Sequence, residues 1–461
     1  MAEQKRERRF WLVLGLALAA FYVTAAMLEG YRQYPDSQGY IAMDLQREPL
    51  YSLFLALVRL LFGRFGEGFW LQAAAVAQSL ITAWAGWVFV RRCAILFRLK
   101  RAESLVLALC TLLPALLCRF FAVRRAMYCY SIISESLSFP LFLVFFACLA
   151  AYALRGRGRD LGCAAVLAFL LISIRKQMYI ALPLMLLAAL WRGICEKRAW
   201  RRAAAGLLCC AAVLLGNTAL DRGYNYVLRG EALRHTGDMR FVTTMLLYTA
   251  EPADAGAIED EELRGLFEEI LRLADEKQLT RAWAPTDWFG RSLFFMNHYD
   301  YIQFDCLRDT IEPRSLEKYG GDRTAAELEK DRIYNGLNAA LLPGSRTRLL
   351  STAADSFGMG LVNTNAAMKR PLVPVSALLY ALFLALLILC VRRGRRDEAV
   401  FACLALAAIL GNTALVSLTI FCQPRYMLYN MPVFYAALLL PLRPAGKRGL
   451  RQNTPPVQAG G

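Results

Sequence analysis

Residues 372–391 read LVPVSALLYALFLALLILCV, residues 392–399 read RRGRRDEA, and residues 400–421 read VFACLALAAILGNTALVSLTIF. At a rise of about 1.5 Å per residue, each uncharged apolar block is long enough to cross a hydrocarbon core of about 30 Å. Backbone polar groups in lipid must bond within their own segment, so the two blocks are predicted to be helices. The basic block between them is typical of a short cytoplasmic loop. This stretch predicts a polytopic α-helical membrane protein.

Similar blocks recur along the chain, whose 461 residues are 57% hydrophobic. They predict an all-α membrane fold with about ten transmembrane helices plus interfacial helices. We split the fifth and sixth spans at Arg175, because one long helix would bury Arg175 and Lys176 near its middle at about 2.5–3.5 kcal/mol each. The predicted spans are 10–28, 69–90, 104–121, 132–154, 161–174, 178–191, 203–220, 372–391, 400–421 and 427–442.

The distribution of charge predicts the orientation. Lys and Arg total 54 against 37 Asp and Glu, a net charge of +17, and most basic clusters flank predicted spans. By the positive-inside rule the N-terminus is expected in the cytoplasm. The first apolar run exceeds the roughly 7–15 residues of a cleaved signal, so it is expected to be a retained signal anchor. The chain has no nucleic-acid-binding motif, and no nucleic-acid partner is expected.

This topology divides the chain into four regions. Within the large outer segment (221–370), residues 259–277 and 324–342 have apolar residues at helical spacing and are predicted to be amphipathic helices. Residues 49–62, in the first long outer loop, are too short to span and are predicted to form an interfacial or re-entrant helix. The regions are an N-terminal transmembrane module (1–220), a large and mainly helical extracytoplasmic segment (221–370), C-terminal spans (371–443) and a disordered cytoplasmic tail (444–461).

Charged residues gather at the predicted outer ends of the spans. Asp36 follows the first span, and Glu135 lies at the mouth of an otherwise apolar span; either carboxylate could serve as a general base. The alternatives are a turn residue for Asp36 and an interfacial ion pair for Glu135. Convergent cations there favour an anionic partner such as a lipid phosphate, against the alternative of snorkelling. The basic residues that depart from the positive-inside pattern are Arg47, Arg119, Arg124, Arg125, Arg175, Lys176 and Arg425.

The thirteen cysteines and two histidines do not form a metal-binding pattern. Most cysteines lie in apolar runs, where they act as small hydrophobes, and no CxxC or Cys/His zinc spacing occurs. Cys129, Cys306 and Cys422 fall in predicted outer segments, and the sequence leaves their pairing open. His298 and Asp300 are expected to have structural roles. No metal site is predicted from Cys and His.

Five short motifs follow one another along the chain. They are Pro35-Asp36-Ser37-Gln38-Gly39-Tyr40, Arg47-Glu48-Pro49-Leu50-Tyr51 with Leu61-Phe62-Gly63, Ser134-Glu135-Ser136, Arg175-Lys176 through Leu182-Pro183, and Arg425-Tyr426 to Pro432. In this order and on these sides they resemble the membrane glycosyltransferases of the GT-C superfamily, in particular the family of protein O-mannosyltransferases and the lipid A aminoarabinose transferase. The resemblance covers residues 1–190 well and the C-terminal spans loosely. The large segment between the seventh and eighth spans and the Arg-Glu-Pro sequence depart from the family pattern.

The resemblance implies a GT-C-like fold and an inverting transfer of sugar from a polyprenyl-phosphate donor, on the outer face of a plasma membrane that is expected to be bacterial. It implies Asp36 as the catalytic base and Glu135 as a second acidic site, with Tyr40 and Glu48 positioning the substrate. It requires no cofactor, and it leaves open a divalent cation and the choice of a lipid, glycan or protein acceptor beside the membrane lipids. The implied donor-phosphate residues are Arg47, Arg175, Lys176, Arg425, Arg124 and Arg125.

Three other functions are compatible with these features. A transporter or flippase of an anionic or lipid-linked substrate would also need outer cations and membrane carboxylates, although transporters usually contain paired repeats and none occurs here. A cell-surface polysaccharide polymerase or ligase would share the lipid donor. A non-enzymatic scaffold would display the large outer segment.

Overall fold

The computed structural model describes residues 2–121, 125–366 and 369–443, and within these residues the chain is helical and without strands. The all-α prediction is therefore confirmed. Arg124 and the predicted tail 444–461 lie outside the described residues. The helices are α1 (Ala2–Glu29), α2 (Ser37–Ile41), α3 (Pro49–Phe62), α4 (Glu67–Phe97), α5 (Arg101–Phe121), α6 (Glu135–Arg155), α7 (Gly158–Ile174), α8 (Ala181–Cys195), α9 (Ala199–Arg229), α10 (Asp238–Thr249), α11 (Glu261–Glu276), α12 (Trp288–Tyr301), α13 (Asp309–Lys318), α14 (Arg323–Asn365), α15 (Val373–Arg392), α16 (Arg396–Ser417), α17 (Pro424–Met427) and α18 (Asn430–Leu442).

Eight helical segments of the described chain are long and apolar enough to cross a membrane, as expected of a multi-pass membrane protein. They correspond to eight of the ten predicted spans. The other two, α7 and α18, have only 17 and 13 residues. The break predicted at Arg175 is present, because α7 ends at Ile174 and Arg175 has an extended backbone with φ −161° and ψ 126°. A short 3₁₀ turn, Lys176–Ile180, then leads into α8.

Helix α6 lies at the centre of the bundle. In its most apolar 18-residue stretch, 89% of the residues are buried, because apolar residues cover every face of the helix. Phe139, Phe142, Phe145 and Phe146 are fully buried and pack against the surrounding helices. In α1 and α15, by contrast, rows of large apolar side chains are exposed, as expected for surfaces that face lipid. The bundle thus holds the first turn of α6 at a fixed place.

One end of the bundle, which we call the loop end, is where α1 finishes and α6 begins. There the Tyr130 hydroxyl donates a hydrogen bond to Glu29 at 2.5 Å, and Arg119 pairs with the same carboxylate at 2.6 Å. Helix α3, present as predicted for 49–62, buries Tyr51 and Leu55 against the start of α4. The loop end is therefore closed by side-chain contacts between separate loops.

Residues 230–366 carry a second hydrophobic core beside the loop end. Leu266 and Phe267 of α11 are buried in it, which confirms the amphipathic helix predicted for 259–277. Residues 324–342 are also helical, but they belong to α14, which is 43 residues long in all and also includes residues 349–362. At its far end α14 reaches the bundle, where Asn363 donates a hydrogen bond to the Cys422 carbonyl at 2.8 Å. This long helix joins the second hydrophobic core to the C-terminal helices.

Candidate functional site

The loop after α1 folds back over the start of α6 and so places Asp36. The Arg32 amide bonds to the Tyr130 carbonyl at 3.2 Å, and the Ile132 amide bonds to the Arg32 carbonyl at 2.8 Å. The Ser37 hydroxyl donates to the Ile132 carbonyl at 2.6 Å. These three hydrogen bonds hold Asp36 at the first turn of α2, with 30% of its side chain exposed.

Arg47 approaches Asp36 from the other side of the same loop. Its Nη2 lies 3.0 Å from Asp36 Oδ1, and its guanidinium lies 4.8 Å from the centre of the Tyr40 ring. Tyr40 in turn packs edge-on against the buried Tyr51 at 4.9 Å. A Cβ at Gly39 would lie only 2.7 Å from Arg47 Nε, so a larger residue at this position would displace the Arg47 side chain. Tyr40 therefore supports Arg47.

Glu135 and Arg175 form a buried ion pair below this loop. Glu135 is 2% exposed in the first turn of α6, where the helix dipole also favours a carboxylate. Arg175 Nη1 lies 2.9 Å from Glu135 Oε1 and donates to the Ser134 hydroxyl at 3.0 Å. Its Nε donates to Gln177 at 3.0 Å, and its guanidinium lies 4.9 Å from the centre of the Tyr426 ring. The break after α7 thus presents Arg175 to Glu135.

Arg425 joins the two pairs. Its Nη1 lies 3.5 Å from Asp36 Oδ2, and its Nε lies 3.7 Å from Glu135 Oε1. The Nε group is buried and has no hydrogen-bond partner in the described chain. Because this residue follows α16, it brings the C-terminal helices to residues from the N-terminal module. We call Asp36, Arg47, Glu135, Arg175 and Arg425 the arginine cluster; its three guanidinium groups and two carboxylates sum to +1.

The electrostatics of the arginine cluster keep Asp36 ionised. Burial alone would raise the pKa of Asp36, but the charges of Arg425 and Arg47 and the hydrogen bond from Arg47 outweigh it, and the pKa lies well below its usual value. Without a ligand Asp36 is therefore a weak base. Anything that draws Arg425 away would raise its basicity.

Lys176 faces away from the arginine cluster. Its Nζ pairs with Asp238 Oδ2 at 2.5 Å, and its amide donates to Glu48 Oε1 at 3.0 Å. Asp238 also lies 3.5 Å from Nε2 of the buried His235, whose Nδ1 is 2.7 Å from Asp221 Oδ2. Burial alone would lower the pKa of His235, but the hydrogen bond with Asp221 and the nearby Asp238 carboxylate outweigh it and raise the pKa to about 9. Glu48 and Lys176 thus tie the α3 loop and α8 to α10.

The remaining predicted residues lie outside the arginine cluster. Arg125 is exposed with a left-handed φ of 45°, and no contact with the cluster is present in the described residues. Arg119 is engaged by Glu29, as described above. The His298 ring stacks on Phe294 at 3.9 Å, which suits the structural role expected for it, and Asp300 is exposed on the same helix. All thirteen cysteines are free thiols.

Several residues of this region were not identified from the sequence. They are Ser134, Gln177, Asp221, His235 and Asp238. His235 had one available signal, since the chain contains only two histidines. The others are common polar residues whose partners lie on distant segments.

An apolar groove with a volume of about 330 Å³ begins beside the arginine cluster. Leu137 and Leu141, on the first turns of α6 after Glu135, form one side. Ile174, directly before Arg175, forms another, and Leu53 and Leu57 of α3 complete it. Charge and apolar surface are therefore adjacent, as an amphiphilic anion requires.

No group of three or more His, Cys, Asp or Glu side chains able to hold a metal ion occurs in the described ranges. The two carboxylates of the arginine cluster face three guanidinium groups, so this donor set does not suit a divalent cation. Searches found no matching family model and no matching curated protein.

Proposed function

We propose that this chain is a GT-C-like membrane glycosyltransferase that moves a sugar from a polyprenyl-phosphate donor to an acceptor hydroxyl. The observation that carries the proposal is the net positive arginine cluster, with a guanidinium nitrogen of Arg425 buried without a hydrogen-bond partner, beside an apolar groove. A lipid phosphate combines the two chemistries that these features bind. Guanidinium forks suit phosphate oxygens, and the groove suits the first isoprenoid units.

In this mechanism the donor phosphate activates the base. The phosphate binds Arg425 and Arg175 and draws Arg425 away from Asp36, whose pKa Arg425 lowers more than any other charge does. The basicity of Asp36 then rises when the donor is in place. Glu135 stays beside Arg175 and fixes its orientation.

The chemical step is a single displacement. Asp36 accepts the proton of the acceptor hydroxyl while that oxygen forms a bond to the anomeric carbon. The bond from the anomeric carbon to the phosphate oxygen breaks, and the phosphate leaves with the electron pair. The arginines stabilise the charge that develops on it. One displacement inverts the anomeric configuration, and no cofactor takes part.

The proposed site faces the extracytoplasmic side of a plasma membrane, which we take to be bacterial. Basic residues at the opposite end of the bundle support this orientation. Arg91 and Arg92 lie in the last two turns of α4, Arg395 directly precedes α16, and Arg396 begins it. Asp36, which is 30% exposed, is then accessible to an acceptor from outside. The acceptor is a lipid, a glycan or a protein.

The proposal is tested with purified protein, a panel of labelled polyprenyl-phosphate sugars and membrane extract as the source of acceptor. Wild type is expected to transfer label, and Asp36→Asn is expected to lose transfer, because the amide cannot take up the proton. Asp44→Asn is the matched control, an exposed carboxylate in the same loop outside the arginine cluster. Equal transfer by Asp36→Asn and wild type would remove Asp36 from the mechanism. Movement of labelled lipid across vesicles without any transfer would favour a flippase.

A further inference from the structure

A second and larger groove lies at the end of the bundle opposite the arginine cluster, and the proposed transfer does not use it. Its volume is about 760 Å³. The late turns of α4 form one wall and the first turns of α7 form the other, while Val144 and Cys148 of α6 form the floor. The proposed reaction places neither its donor nor its acceptor in this groove.

The interior of this groove is apolar and open to the side of the bundle. Trp84 is 49% exposed, Ile95 is 66% exposed, and Val166 on the facing helix is 61% exposed. Trp84 and Ile95 lie on one face of α4, eleven residues apart, so the groove is about 16 Å long at the helical rise. A long and narrow apolar groove of this kind has the shape of an acyl chain.

The part of the groove between the last two turns of α4 and the first turn of α7 carries positive charge. Arg92 pairs with Asp160 at 2.9 Å, whereas Arg91 and Arg159 have no carboxylate partner in the described chain. Three arginines and one aspartate sum to +2. The guanidinium of Arg91 lies 5.0 Å from the centre of the Trp87 ring, which holds it at the groove. Helix α7 also begins here, and the N-terminal end of a helix favours anions.

We propose that this groove binds one anionic phospholipid, with an acyl chain between α4 and α7 and the headgroup phosphate at Arg91 and Arg159. The commitment to an anionic headgroup follows from charge, because a zwitterionic headgroup would add a cation to a site that already carries +2. Basic pockets between transmembrane helices are known to bind such headgroups. The inference does not depend on the proposed transfer.

Native mass spectrometry of the full chain in detergent, titrated with phosphatidylglycerol or phosphatidylcholine of identical acyl chains, tests this. Wild type is expected to retain one phosphatidylglycerol with about tenfold tighter binding than phosphatidylcholine. Gly162→Leu is expected to abolish this binding, because a side chain at exposed Gly162 projects into open space within the groove. Gly223→Leu is the control, since Gly223 is also an exposed helical glycine with open space around it.

The double substitution Arg91→Gln and Arg159→Gln separates charge from shape. It is expected to keep one bound lipid and to lose the preference for phosphatidylglycerol. Equal binding of the two lipids by wild type would overturn the headgroup site. Equal phosphatidylglycerol binding by Gly162→Leu and Gly223→Leu would overturn the location. A dimer that only Gly162→Leu disrupts would show that a second copy of the chain covers the groove, and would also overturn the proposal.

Discussion

Glu135 illustrates at the scale of single residues how unequal the members of the arginine cluster are. Its carboxylate is 2% exposed, and its nearest cation is Arg175. Removing one partner of a buried ion pair leaves the other charge without compensation, which costs more than the pair itself contributes. Asp36 is 30% exposed and keeps water as an alternative partner. Substitutions at the two carboxylates therefore have different consequences.

Arg175→Ala is expected to destabilise the protein, at most by about 3–5 kcal/mol, because the buried Glu135 carboxylate then keeps only the more distant Arg425 as a counter-charge. The double variant Arg175→Ala with Glu135→Gln is expected to recover a large part of that loss. The measurement is thermal unfolding of purified protein in detergent. A double variant no more stable than Arg175→Ala would contradict the ion pair.

All five members of the arginine cluster could be named from the sequence, but the contacts between them could not. Asp36, Arg47, Glu135, Arg175 and Arg425 are charged residues at the predicted outer ends of apolar spans, and each lies in one of the short motifs. That Arg425 touches both carboxylates could not be predicted, because residues separated by hundreds of positions meet only through the packing of α16 and α17. The resemblance implies that Lys176 binds the donor phosphate together with Arg175. In the structure the two consecutive side chains have different partners, since Arg175 pairs with Glu135 and Lys176 pairs with Asp238.

Among the helices, the ion pairs around His235 connect three elements, the third of them through the pair between Asp238 and Lys176. Asp221 lies on α9, Asp238 begins α10, and Lys176 begins the turn before α8. Helix periodicity predicted α11, and the charges at Arg175 predicted the break between α7 and α8, since both are local properties. This junction was missed because its ion pairs depend on how α9 and α10 approach each other.

The raised pKa of His235 predicts a pH-dependent stability. The pKa is about 9 in the folded chain against 6.5 ordinarily, so protonation of His235 stabilises the fold. This contribution is complete below pH 6.5 and is lost as the pH rises through about 9. Unfolding of wild type and His235→Gln, measured from pH 6 to 10, should show a stability difference that shrinks across this window. A difference independent of pH would contradict the assignment.

At the scale of the whole molecule, the two ends of the bundle have different chemistry. The loop end brings together the loop after α1, the break after α7 and the start of α17 around a positive cluster beside an apolar groove. Helix α14 connects the second hydrophobic core, in residues 230–366, to the same end. The sequence predicted which loops share an end from alternating spans, although α7 and α18 are shorter than the spans predicted there.

The most direct test of the proposed lipid-phosphate site is the affinity of purified protein for undecaprenyl phosphate. Wild type is expected to bind it, and Arg425→Gln is expected to bind about ten- to a hundredfold more weakly, the range for one charge-assisted hydrogen bond. Arg125→Gln, which removes an exposed arginine outside the arginine cluster, is expected to bind like wild type. Equal affinity of Arg425→Gln and wild type, or no binding by folded wild type, would contradict the lipid-phosphate site.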